Sequence, residues 1–83
     1  MGLDIVELMM AIEEHFDISI SDEEFEALHT ARELIEFIVA RKGGGEWTHE
    51  RVRTEVRKLL IEKTSIPENF DENARFIQDL GID

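Results

Sequence analysis

Leu3-Asp4-Ile5-Val6-Glu7-Leu8-Met9-Met10-Ala11-Ile12-Glu13-Glu14-His15-Phe16 is the stretch that sets the fold class. Ile5, Leu8, Met9, Ile12 and Phe16 recur at helical steps, so one face of a helix over 3–16 is buried. Working outward, Ser21 precedes Asp22, Glu23 and Glu24. This pattern predicts a helix start in which the Ser21 hydroxyl caps the first turn, Glu24 reaches back, and the acids complement the positive helix end. Phe25 and Leu28 form the apolar side of that short helix. Thr30 with Glu33 repeats the capping pattern before Ala31, Leu34, Ile35 and Ile38, which share one side of a further helix. Arg41 and Lys42 fall in its last turn, where cations suit the negative end. Thr48 is positioned to cap a long helix reaching about Lys63, with Val52, Val56, Leu59 and Leu60 inward.

Gly43-Gly44-Gly45 interrupts the helical pattern. Three successive glycines have no side chains to pack and high backbone freedom, so they read as a flexible joint. After Lys63 the periodicity weakens, and Pro67 together with its neighbour Ile66 disfavours helix. Phe70, Phe76, Ile77 and Leu80 are the expected anchors of a long loop over 64–83, and a loop of that length in a small domain is more often functional than not. The expected fold is all-α: a bundle of three longer helices and one short one, with an anchored loop.

The 83 residues suffice for one small domain. Hydrophobic content of 42% lies in the globular range. Cysteine is absent, which excludes disulfide and thiol chemistry. No apolar run approaches the roughly 20 residues of a bilayer span. The start carries Asp4 and Glu7 rather than a basic segment, so a cytoplasmic protein is expected. Twenty acids against nine bases leave a net charge of -11. That balance disfavours nucleic acid and anionic membranes as partners and favours basic protein surfaces.

The two ends carry a further pattern. The last residues are Phe76-Ile77-Gln78-Asp79-Leu80-Gly81-Ile82-Asp83, and the first are Met1-Gly2-Leu3-Asp4-Ile5-Val6-Glu7-Leu8. Placed end before beginning, they read Asp-Leu-Gly-Ile-Asp, one residue, then Leu-Asp-Ile-Val-Glu-Leu. This resembles the signature of acyl carrier proteins, in which the gap holds the serine that bears 4′-phosphopantetheine. Gly2 occupies the gap, flanked by Asp83 and Leu3. The rest of the chain is similar to the same family in rotated order. Residues 46–63 resemble the family's first helix, 64–83 its long loop, 3–16 its second helix, 17–24 the run into its third, and 30–41 its fourth. The resemblance implies a single domain over 1–83, with the family's second to fourth helices in 1–42, a glycine linker at 43–45, and the first helix and long loop in 46–83. It implies the family's four-helix bundle, circularly permuted and cut at the attachment site. The triple glycine and the Met-Gly start favour an engineered join.

The family's members are carriers, not enzymes: a transferase loads the serine, and the arm's thiol then carries acyl thioesters for synthases of fatty acid and polyketide pathways. Glycine has no hydroxyl to attack a phosphoryl group, so the resemblance implies that no phosphopantetheine is held on this chain. Ser19, Ser21 and Ser65 are not set in Asp-Ser-Leu. The resemblance also implies a docking face on the first helix. Leu3, Val6 and Met10 fall off the core stripe, among or beside Asp4, Glu7, Glu13 and Glu14, and would meet synthases and the phosphopantetheinyl transferase. Read without the family, the same residues are a core border and a solvated acidic face. Ile20 and Phe25 are expected in the core, and the resemblance implies that their region also lines the family's acyl cavity. Ile12, Phe16, Leu28, Ile38 and Leu59 are cavity candidates in the family and core residues otherwise.

His15, His29 and His49 lack metal-ligand spacing. Asp71-Glu72-Asn73 lacks the glycine and closing glutamate of a calcium loop, and Asn73 is expected to fix the loop by hydrogen bonds. The glycines lack the Lys-Ser or Lys-Thr of a phosphate loop. The alternative is an acidic helical scaffold for folding or assembly studies, with no retained binding. Either a monomer or a domain-swapped dimer is compatible. Fraying is expected at 1–4 and 80–83.

Overall fold

Each apolar stripe becomes a helix in the computed structural model, which describes residues 3–82. The order is α1 (Leu3–Phe16), α2 (Asp22–Ala27), α3 (Ala31–Lys42) and α4 (His49–Thr64). No strand is formed among the described residues. The predicted caps form. Ser21 Oγ accepts the Glu24 N–H at 3.2 Å while Glu24 Oε1 accepts the Ser21 N–H at 3.0 Å. Thr30 and Glu33 repeat this reciprocal pair, and Thr48 Oγ1 accepts the Arg51 N–H. α4 starts at His49 rather than Glu46, because the Thr48 backbone is extended and its side chain caps the first turn.

α1 and α3 both pack on α4. Ile5, Leu8, Met9, Ile12 and Phe16 of α1, Ala31, Leu34, Ile35 and Ile38 of α3, and Val52, Val56 and Leu60 of α4 are buried in one core. Leu59, expected inward, is half-buried beside it, as are Ile20 and Phe25. Trp47 closes the far end, with its ring centroid 4.9 Å from that of Phe16. His15 lies edge-on to both rings, and its Nε2 is 2.8 Å from Glu55 Oε1, which joins α1 to α4.

The glycine joint is a closed turn. Gly44 and Trp47 exchange both backbone hydrogen bonds, Gly44 N–H to Trp47 O at 3.2 Å and Trp47 N–H to Gly44 O at 3.0 Å. Gly44 sits at φ 111°, a conformation that side-chain-bearing residues rarely adopt. A methyl group on Gly43 would collide with the Val39 carbonyl oxygen. The glycines therefore serve turn geometry as well as linkage.

The loop over 65–82 is pinned by backbone hydrogen bonds and by two arginines of α4, Arg57 and Arg53. Phe76 donates its N–H to His29 O at 2.8 Å, Arg32 donates to Glu72 O at 3.0 Å, and Ile82 donates to Phe76 O at 2.8 Å. Ile66, Phe70, Phe76 and Ile82 are buried. Ile77 is 59% exposed rather than an anchor, and Ile82, not among the expected anchors, is 3% exposed. The loop turns so that alternate apolar side chains cannot all face inward. Asp71 Oδ1, not the Asn73 side chain, holds the turn at 71–74 by accepting the Asn73 N–H.

Arg57 of α4 is the clasp. It donates to Glu68 O at 2.6 Å, to Phe70 O at 3.3 Å and to Glu72 Oε2 at 2.7 Å, and its guanidinium lies 4.2 Å from the Phe70 ring centroid. Arg53 shares Glu72 at 2.7 Å. Arg57→Gln is expected to cost about 1.5–3 kcal/mol, the range for charge-assisted hydrogen bonds. Chemical denaturation measures that loss, and Arg53→Gln should cost less because its guanidinium is more exposed.

Candidate functional site

α1 presents a second face beside its core stripe. Val6 is 37% and Met10 58% exposed, and Asp4, Glu7 and Glu14 are exposed around them. Val6 and Met10 are four residues apart, one above the other on the helix surface. Exposed large apolar side chains ringed by acids suit a partner with basic residues around a shallow apolar surface. Met10 adds adaptability, being unbranched and polarisable. Glu13 sits differently. It is half-buried, and its Oε2 accepts the Ile20 N–H at 2.9 Å, so it orders the segment entering α2. Gly2, Asp83 and the Leu3 side chain lie outside the described residues.

A cavity of about 380 Å³ opens between α1, α2 and the loop. Ile5, Phe25, Leu28, Phe76 and Ile77 form its apolar wall, and His29 and Arg75 are among its polar residues. Its volume lies in the small-molecule range. Phe25 and Leu28 were legible as lining candidates. Ile12, Phe16 and Ile38 are closed core, and Leu59 does not line the cavity. Phe76 and Ile77 come from the other end of the chain and are brought to Ile5 by the loop.

Two carboxyl groups near this region are held below their usual values. Backbone hydrogen bonding within the Ser21 cap does this for Glu24, assisted by Arg41. The Arg75 N–H, 2.8 Å from Asp79 Oδ2, does it for Asp79, assisted by the Arg75 guanidinium. A depressed folded-state pKa stabilises the protein above the unfolded carboxylate range, and that contribution is lost as pH falls through the folded value. The thermal midpoint is therefore expected to fall as pH drops below the usual carboxylate range. Glu24→Gln, which keeps the capping acceptor but not the charge, should flatten the profile.

Residues 3–38 match the family model described as "Phosphopantetheine attachment site". Over this stretch the chain is similar to acyl carrier proteins. It is 64% identical over 37 residues to the acyl carrier protein of Buchnera aphidicola subsp. Schizaphis graminum (strain Sg), covering 45% of this chain and 47% of that protein. It is 54% identical over 42 residues to that of Prochlorococcus marinus (strain MIT 9515), covering 51% and 52%. The Helicobacter hepaticus (strain ATCC 51449 / 3B1) acyl carrier protein is 50% identical over 41 residues, covering 49% and 54%. The chain thus spans about half the length of the curated relatives it matches. No solved structure matches it. The carrier-like segment contains the whole acidic face of α1, all of α2 and most of α3. Among the described residues no helix is long and apolar enough to cross a membrane.

Proposed function

We propose that this chain is a circularly permuted acyl-carrier domain, joined through Gly43–Gly45, that docks carrier-recognising enzymes and cannot be loaded. The observation that carries this reading is the packing of 49–82 against the carrier-like segment. α4 and the following loop, which resemble the half that would precede the attachment site, pack on α1 and α3 although they come later in the chain. Phe76 and Ile5, 71 positions apart, line one cavity. In the rotated sequence Gly2 takes the place of the carrier's serine, and glycine has no hydroxyl to attack a phosphoryl group.

In this reading the chain is a carrier scaffold and not a catalyst. Its partners are fatty acid or polyketide synthase components and the phosphopantetheinyl transferase, met through Asp4, Val6, Glu7, Met10 and Glu14, with Leu3 and Glu13 at the border. The run Gly43-Gly44-Gly45 together with the Met1-Gly2 pair supports an engineered join in this reading, although the turn geometry itself calls for glycine. The cavity is the place where such a fold shields an apolar chain.

Intact mass after incubation with a broad-specificity phosphopantetheinyl transferase and coenzyme A tests this reading. An unchanged mass is expected. A gain of one phosphopantetheine group would show that another hydroxyl accepts the arm and would overturn the assignment of Gly2.

A further inference from the structure

α4 departs from the charge of the rest of the chain. It carries five of the chain's nine lysines and arginines but three of its twenty acids, so the acidic surface is interrupted here. His49, Arg53 and Arg57 follow one another at four-residue steps and share one side of the helix. On that side, against the start of α3 and the loop at Glu72, a second cleft of about 270 Å³ opens. Arg32 and Glu36 of α3, His49 and Arg53 of α4, and Glu72 of the loop form its polar lining, beside Ile35. None of these residues comes from α1 or α2, so the cleft is separate from the apolar cavity.

The carboxylates do not use up the cations around them. Arg57 donates to Glu72 Oε2 at 2.7 Å, and Arg53 Nε lies 2.7 Å from the same oxygen, so one carboxylate faces two guanidiniums. Arg32 Nε is 3.5 Å from Glu36 Oε2, with the two side chains 64% and 62% exposed, and such a pair opens readily. Arg32 and Arg53 meet their acids through Nε, which leaves the terminal nitrogens of both guanidiniums for a ligand. The frame beneath is fixed: Arg32 gives its backbone N–H to Glu72 O at 3.0 Å, and Ile35 is buried.

We infer that this cleft binds a phosphate group, as the free ion or a small phosphate monoester. With Arg57 beside it, the cleft sets three arginines and a histidine against two glutamates, so positive charge is left over. A planar guanidinium presents paired N–H donors that match phosphate oxygens. A carboxylate, with two oxygens, satisfies one such fork. A tetrahedral phosphate has oxygens for both arginines and for the His49 ring. The volume admits the ion with a small substituent, since a water molecule takes roughly 30 Å³ of liquid. The arginines are partly solvated, so binding is weak, with a dissociation constant on the order of 1 mM. The site stands on α3, α4 and the loop and is independent of the carrier reading.

Backbone amide shifts of the full chain, followed through a titration with sodium phosphate at fixed pH and ionic strength, test the site. Saturable shifts are expected at Arg32, His49, Arg53 and Glu72, with α1 unchanged. Arg32→Gln and Arg53→Gln should each weaken binding about tenfold, the loss of one charge-assisted fork. Arg32→Gln keeps the loop tied, because that link uses the backbone N–H, so its weaker binding is not a folding defect. Arg51→Gln removes the same charge from α4 outside the cleft, beside Trp47, and should change affinity less than about twofold. Glycerol 3-phosphate, titrated in parallel, separates the sources: tighter binding than phosphate assigns the site to a monoester, weaker binding to the free ion, and either supports it. Unsaturated shifts matching those in sodium chloride would overturn the site. Equal weakening by Arg51→Gln and Arg53→Gln would also overturn it, by reducing binding to diffuse charge.

Discussion

Phe76→Ala is expected to cost about 3–5 kcal/mol, the range for emptying a buried aromatic site. Phe76 is 2% exposed, and its backbone links two parts of the chain, donating to His29 O and accepting from Ile82. The loss is large against a total stability of roughly 4–12 kcal/mol for a domain of this length. The site already borders a cavity, so neighbouring side chains have little to collapse onto, and the cost should lie toward the upper end. In thermal denaturation the midpoint should drop by more than about 12 °C. Ile77→Ala is the control. Its side chain is 59% exposed, so its cost should stay below about 1 kcal/mol. Similar costs for the two variants would refute the packing of the loop described here.

Glu7→Lys combined with Glu14→Lys is expected to weaken binding to a carrier-dependent synthase about 100-fold, chiefly by slowing association. Both acids are exposed on α1 beside Val6 and Met10. Reversal places like charges against a basic partner, and neither side chain is tied into the core. Thermal stability should therefore change little, and a binding titration isolates the docking effect. Glu13 is a poor choice for this test: its contact with the Ile20 N–H would confuse lost docking with a disordered entry to α2. Unchanged synthase affinity in the double variant would remove the docking function and leave the alternative of an acidic helical scaffold.

Much of this protein was readable from spacing. All four helices, both capping boxes, the Thr48 cap and most of the core stripe follow from contacts within a few residues, where the 3.6-residue period and side-chain chemistry leave few options. The acidic face of α1 was equally legible, because a helix divides its own residues between faces. The loop over 65–82 was not. It has no period, so nothing local separates Phe76, which faces inward, from Ile77, which faces out, or marks Ile82 as buried. The turn at the glycines was hidden because it depends on Trp47 packing on Phe16. Arg57 carried no signal of its own, Arg41 read only as a helix-end cation, and Glu13 read as a docking acid. Their partners lie 11–15, 17–22 and 7 positions away. Local sequence thus settled the helices and their polarity, because those depend on near neighbours. The Arg57 clasp, the contacts of Arg41 with Ser19 and Glu24, and the cavity arose only when the folded chain brought distant residues within hydrogen-bonding and van der Waals range.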